Sequence, residues 1–463
     1  MKKMNRREFI TKSSAAAAAT AAFAHYPGAA FSQVVGTGAP FPDYKALVCV
    51  FLFGGNDSYN MVVPRSTPEY TVYANSRQNM AIAQQELLPI NPLSGAVAQY
   101  GLHPSMPGIQ GLFETGAAAL INNTGPLVQP TSKLEYQTGG VALPPQLFSH
   151  NDQQDQWHSL KGAGVSKTGW AGRIADLIRT NVVGQQLATN VSLFGSSLYQ
   201  SADETVAYVM GNNGPIAFTG FPDPNNPNPD PNLEALLVAQ RTAFEQIIGA
   251  NYATVYERGF AQIQQRAVAT ADLVSVALAN AQPLNTVFPA TQLGNELNTV
   301  ARLIAARNDL SMDRQIFFVA AGGFDTHDDQ LVNHAGRLLE VSEAMTAFYD
   351  AMGELQLSDS VTAFTQSDFS RTLTSNGDGT DHGWGGIQLV VGDAVVGQRM
   401  YGTYPDLALN SPDDVGGGRL IPTISSDQYA ATLAKWFGIP DVDLDVVAPN
   451  LANFQSRDLG FLA

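Results

Sequence analysis

The chain has 463 residues, 44% of them hydrophobic, enough for one large buried core with insertions or for two ordinary domains. Its 41 acidic residues against 25 Lys and Arg give a formal charge of −16, and no basic face remains past the first residues to neutralise phosphates, so no nucleic acid partner is expected. Cys49 is the only cysteine, which excludes an intramolecular disulfide.

At the start, NRREFITK followed by an alanine-rich stretch from Ala15 to Ala24 has the charged, apolar and small-residue regions of an export signal, with Arg6 and Arg7 pointing to the twin-arginine route. The apolar part is too short to span a bilayer well, so residues 1–32 are read as a removable signal with no stable membrane span. Its loss takes away Lys2, Lys3, Arg6, Arg7 and Lys12 against Glu8, leaving a mature chain of charge −20 that is periplasmic or secreted. Residues 33–463 are then one α/β domain.

The next segment, LVCVFLFGGND, is an apolar strand broken by Gly54 and Gly55 that delivers Asp57 at its tip. Cys49 lies inside it and is read as core. A polar loop follows from Tyr59 to Pro92, then a helix opened by Pro107 and ended by Gly116, and a short strand from Ala118 to Ile121. A Pro-, Gly- and Gln-rich loop carries FSHNDQQDQWHS, and KTGWAGRIADLIRT reads as a helix with Ile174, Leu177 and Ile178 inward. The proline density of TGFPDPNNPNPDPNL dictates an extended loop, and two or three helices are expected from Leu233 to Arg307, so residues 219–312 are read as a Pro-rich and helical insertion.

A second strand, RQIFFVAAGGFDTHDD, repeats the first design, ending in Asp325 and His327. A third, DSVTAFTQSD, ends in Asp368, and the helix from Gln330 to Leu357 makes these two a βαβ crossover. His382 stands in TDHGWGG, GIQLVV is a strand, and SSDQYAATLAKWFG is a helix capped by Ser425 or Ser426. In an open α/β sheet the residues just past the strand ends converge on one crevice, so Asp57, Asp325, His327, Asp368 and His382 are candidate ligands of a divalent metal: Zn, Mn, Ca or Mg, one or two ions. Each has a structural alternative. Asp57 fits a turn, Asp325 and His327 fit a helix cap, Asp368 fits a pair with Arg371, and His382 fits packing on Trp384. His158 is read as structural, and His103 and His334 as locally bonded.

The order of VCVFLFGGNDSYNMVVP, FSHNDQQDQWHS, GGFDTHDDQ and SDFSRTLTSNGDGTDHGWGG resembles the alkaline phosphatase superfamily, which includes sulfatases and cofactor-independent phosphoglycerate mutases. It looks most like a bacterial branch of unknown function whose members carry twin-arginine signals. The resemblance covers nearly the whole mature chain. It implies an alkaline phosphatase-like, mostly parallel central sheet flanked by helices, with Asp57, Asp325, Asp368 and His382 at the metal positions. It also implies a nucleophile on the loop holding Ser149, activated by a metal or by His150, with Ser58 and Ser105 as rivals. Phe369 stands where that pattern has His, and Asp329 where another His is usual, so His327 is expected to supply an imidazole. The activity implied is metal-dependent hydrolysis of a phosphate or sulfate ester, small-molecule or polymeric. The alternative is an inactive envelope binding protein, partnered by another exported protein encoded nearby.

Overall fold

A computed structural model describes residues 38–463 except 96–97, 213, 217, 219 and 223–226. The export segment expected at 1–32 lies outside the described residues. Among those described, no helix is long and apolar enough to cross a membrane.

The centre is a nine-stranded sheet of β1 (Lys45–Leu52), β2 (Ala118–Gly125), β3 (Asn190–Ser192), β4 (Tyr208–Val209), β5 (Arg314–Ala321), β6 (Val361–Ser367), β7 (Gly386–Val391), β8 (Arg399–Tyr401) and β9 (Ile424–Ser425). Its order is β8-β2-β7-β6-β1-β5-β3-β4, with β9 also beside β2. β1 pairs in parallel with β5 on one side and β6 on the other. β7 runs antiparallel to both its neighbours, β6 and β2. The protein is therefore α/β with a mostly parallel sheet, as expected from its near-continuous apolar strands.

The side chains of β1 explain that composition. Val48, Val50 and Leu52 enter a core shared with helix α5 (Gln292–Ala305) and helix α6 (Gln330–Glu354). Leu47, Cys49 and Phe51 enter a second core on the opposite face, shared with Trp157, Trp170 and helix α7 (Ser426–Phe437). Alternation at period two sends successive side chains to opposite faces, and both are covered by helices, so neither tolerates a polar residue in the strand's middle. Cys49 is fully buried.

The crossover from β5 through α6 to β6 is present and passes over β1. Ser425 caps α7 with a capping box closed by Gln428. Three expectations change. The strand read to Ile121 runs on to Gly125: Asn122 and Asn123 form a buried irregularity, with Asn123 at φ 45°, after which Thr124 pairs with Gly386 and Ile424. Much of the loop containing FSHND is helix α2 (His150–Ser159), whose buried face is Gln153, Gln156, Trp157 and His158, a pattern without apolar periodicity. The polar loop after Asp57 contains helix α1 (Thr67–Arg77).

The region read as an insertion holds three helices: α3 (Pro231–Ile248), α4 (Val255–Asn280) and α5. Helix α3 and the first half of α4 stand apart, whereas Val274, Ala277 and Leu278 at the end of α4 join the main core. Helix α5 buries Leu293, Leu297, Val300, Leu303 and Ile304 in the main core, so it belongs to the sheet and not to the insertion.

Candidate metal centre

The sheet edge at the carboxyl ends of β1, β5 and β6 gathers the motif loops, and the reversed β7 adds its beginning to that edge. Gly54 and Gly55 turn the chain out of β1 at φ 114° and 84°, in the left-handed region. A side chain at Gly54 would strike the backbone of Phe324 and Asp325, and one at Gly55 would strike the Phe369 ring. The two glycines thus let the loops after β1, β5 and β6 close on one another. After β6, Arg371–Ser375 pairs with Thr380–His382 as a short ribbon, with Arg371 opposite His382.

His150, Asp325 and His382 present ligand atoms that all lie within 4.8 Å of one another. His150 Nε2 and His382 Nε2 are each 3.4 Å from an Asp325 oxygen, and His327 Nε2 is 3.0 Å from Asp325 Oδ1. The Nε2 atoms of His327 and His382 are 3.0 Å apart. A divalent ion bound tetrahedrally at 2.0–2.1 Å holds its ligand atoms about 3.3 Å from each other, so these separations suit one ion with little movement.

The ring orientations point the same way. His150 Nδ1 bonds Asp368 Oδ2 at 2.6 Å, and His382 Nδ1 donates to the Phe148 carbonyl at 2.7 Å. His327 Nδ1 is 3.3 Å from Asp381. A carbonyl can only accept, so His382 carries its proton on Nδ1 and turns an unprotonated Nε2 inward when neutral. A carboxylate or carbonyl behind each imidazole is how metal-binding histidines are commonly fixed. His150 Nε2 is buried and has no hydrogen-bond partner among the described residues, an orphan that an ion would satisfy.

Charges at the site are tuned by the same contacts. The hydrogen bond to the Asp368 carboxylate raises the His150 pKa, outweighing burial, while burial lowers that of His382 despite the Phe148 carbonyl. Burial pushes Asp325 up, but the Arg371 hydrogen bond and charge, with His150 and His327, hold its carboxyl below the usual range. Arg371 Nη1 donates to Asp325 at 2.7 Å, and its guanidinium is fully buried on Gly54 and Thr380 oxygens. Arg371 therefore pairs with Asp325, not with Asp368.

Asp368 is fully buried and also accepts from Gln154 at 3.0 Å and from the Gly54 amide at 3.3 Å. It stands behind His150 rather than among the converging atoms. Phe369 stacks on His382 and packs on His150, with ring centroids 4.7 and 4.9 Å apart. His382 therefore packs on Phe369 and not on Trp384.

Asp57 lies elsewhere. It is fully buried, and one of its oxygens takes both the Arg77 guanidinium from α1 and the Gln330 amide from α6. The cation at Asp57 is an arginine of the same chain, which removes Asp57 from the converging set. Neighbouring His334 is buried, 2.9 Å from Asn56 Oδ1, a long-range bond and not a local one. Burial lowers the pKa of His334 to about 3, and that of His158, enclosed by Phe51 and Phe318, also to about 3. His103 bonds locally, accepting from the Ser105 amide.

Ser149 begins α2, next to His150, and its hydroxyl donates to Asp152 Oδ2 at 2.6 Å. Phe148 before it is held at φ 74°, strained for a bulky residue, with Arg419 over its ring. That strain aims the carbonyl at His382. Ser58 and Ser105, the rival hydroxyls, sit on β1's following turn and beside His103.

A family model described as Protein of unknown function (DUF1501) matches residues 44–448. The chain belongs to this family. The match spans every motif loop of the DUF1501 chain, from β1 past α7. No curated protein sequence matches it. Among solved structures, similar chains include lipoteichoic acid synthase LtaP from Listeria monocytogenes, at 8% identity and TM-score 0.32, with 86% of this chain and 72% of that chain covered. The C-terminal periplasmic domain of EcEptC from Escherichia coli is similar at 10% identity and TM-score 0.33, covering 92% and 90%. A sulfatase from Pseudoalteromonas sp. is similar at 9% identity and TM-score 0.31, covering 86% and 68%. Likeness of this degree leaves the chemistry to be argued from this chain's own residues.

Proposed function

We propose that this DUF1501 protein is an exported, metal-dependent enzyme that cleaves or transfers a phosphate or sulfate ester, with His150, Asp325 and His382 holding one divalent cation and His327 beside them. The observation that carries this is the convergence of imidazole Nε2 atoms on one carboxylate, each ring anchored from behind at Nδ1. Three imidazoles and one carboxylate favour Zn or Mn over Ca and Mg, which take oxygen ligands. A cation there would supply Lewis acidity toward an ester oxygen.

The chain's own groups divide the rest of the work. Arg371 fixes Asp325, and Asp368 fixes His150. Ser149 is the proposed nucleophile, with Asp152 in contact to take its proton. Asp325 and His327 are the most open members of the cluster, leaving an approach for an anionic ester. Export through the twin-arginine signal and removal of residues 1–32 belong to the same reading, as does a partnership with another exported protein.

Elemental analysis of the purified mature protein tests it. One equivalent of Zn or Mn in the wild type, lost in Asp325→Ala/His382→Ala, is the expected result, followed by turnover of aryl phosphate or sulfate that Ser149→Ala reduces by orders of magnitude. Protein that stays folded yet takes up neither ion on reconstitution would sink the proposal. A second reading, a binding protein without catalysis, is favoured by Phe369, whose ring packs against both His150 and His382. Metal bound without turnover of any ester, in wild type and Ser149→Ala alike, would select it.

A further inference from the structure

Helix α3 has eighteen residues, of which only Ile248 is buried, although it carries Leu233, Leu236, Val238 and Ile247. Its antiparallel mate α4 exposes Tyr256 at 90%, Phe260 at 64% and Ile263 at 62%, spaced by four and three residues along one stripe. Next to that stripe lies a mostly apolar groove of about 450 Å³, lined among others by Val206, Tyr208, Ile263, Ala267 and Thr270, with Arg266 as its one charged residue among those described. Scattered apolar residues need no explanation, but a contiguous stripe beside a groove does.

The charges on this hairpin narrow what can cover it. Residues 231–280 carry four acidic residues and three arginines, nearly neutral within a chain of charge −16. Most of these are already engaged inside the hairpin. Arg241 bonds Glu245 and Asp272, Glu257 closes a capping box with Thr254, and Arg258 donates to the Tyr252 and Ala253 carbonyls. An anionic lipid surface or an acidic partner would need a basic face, which this surface lacks. A second copy of the same acidic protein would be repelled over most of its surface and least repelled here.

The spacing of knob and groove suits that occupant. Tyr256 and Phe260 lie about 10–20 Å along α4 from Ala267 and Thr270, at 1.5 Å per residue. A two-fold axis near Ile263 would seat each copy's Tyr256 and Phe260 in the other's groove, the reciprocal contact that an isologous interface requires. Helix α4 is about 39 Å long at that rise, long enough for two antiparallel hairpins to form a four-helix bundle.

We propose that the α3–α4 hairpin is the surface through which two copies of this chain associate about a two-fold axis. The test is the mass of the full mature chain in solution, by light scattering on an eluting sample and by sedimentation between about 1 and 100 µM. The wild type is expected at twice the chain mass, with Tyr256→Glu/Phe260→Glu weakening association by at least about 100-fold, as for buried aromatic anchors. Unchanged far-ultraviolet circular dichroism would show that the variant folds. Ile263→Cys gives a second arm, because Cys49 is buried and the new thiol alone is accessible, so oxidation is expected to yield a cross-linked dimer. A monomeric wild type at 100 µM, a dimer that survives both glutamates, or binding of the monomer to phosphatidylglycerol vesicles would each overturn the proposal.

Discussion

Two acid-and-imidazole clusters stand at the same sheet edge, and they have opposite fates. Around Asp57 the chain supplies its own cation, Arg77, with Gln330, Asn56 and His334 packed in and shut from solvent. Around Asp325 three imidazoles turn ring nitrogens toward one partly open carboxylate, which the buried Arg371 guanidinium also meets. The residue types are alike, and so is their position past a strand. Both acids meet a buried arginine, so what separates a structural cluster from a candidate binding centre is that Asp57 is sealed while Asp325 stays partly open with imidazole nitrogens facing it. A chain of hydrogen bonds joins the two: Gln330 to Asp57, Thr380 to Gln330, Arg371 to Thr380, and Arg371 to Asp325.

The contrast is broken most directly by deleting one acid from each cluster. Asp325→Ala is expected to abolish metal uptake, from about one equivalent to background in elemental analysis, because it removes the one carboxylate common to all three imidazoles. Asp57→Ala is expected to keep the metal but lose about 3–5 kcal/mol of stability in denaturant unfolding, since Arg77 is left buried without its partner. If the two variants exchanged phenotypes, the assignment of roles would be reversed.

A finer test separates Asp368 from the proposed ligand atoms. Asp368→Asn is expected to weaken affinity about 10–100-fold in a calorimetric titration while leaving the saturated stoichiometry at one. Complete loss of binding would instead put Asp368 among the ligands.

The smallest effect concerns pH. His334 has its pKa lowered to about 3 by burial, so its neutral form stabilises the fold fully above its unfolded value near 6.5, and that contribution is lost as pH falls toward 3. Each unit in that window costs up to about 1.4 kcal/mol. His334→Gln is expected to flatten the fall in unfolding free energy between pH 6.5 and 3.5 by one proton's slope. An unchanged slope would mean that His334 is already charged in the folded state.

Much of this arrangement was legible in the sequence, because strands buried on both faces are written as unbroken apolar runs. β1, β5 and β6, each followed by an acid, could be read from LVCVFLFGGND, FFVAAGGFD and VTAFTQSD, and the capping box of α7 from SSDQ. Helix α2 could not, since its inward face is Gln153, Gln156, Trp157 and His158, residues that carry no apolar period. That hid the geometry of His150, read beforehand as a helper to Ser149 and found facing Asp325. Arg77 was hidden for another reason. It lies in a stretch read as loop, and nothing local signals that an exposed-looking arginine will fold back onto Asp57. The resemblance supplied the positions of the acids, but pairing decides which of them remain open, and pairing depends on helices α1 and α6.

One consequence follows from the direction of β7. Because that strand runs against its neighbours, the ribbon bearing Arg371 and His382 leaves the sheet at the end of β6 and re-enters it beside the same strand. Asp368, Phe369, Arg371 and His382 thus belong to a single stapled loop, anchored at both feet, whose ends need not move when its tip is occupied. Such a piece is transferable: grafted between two adjacent antiparallel strands of another sheet, it would carry His382 together with the groups, Asp368 and Arg371, that position the other members.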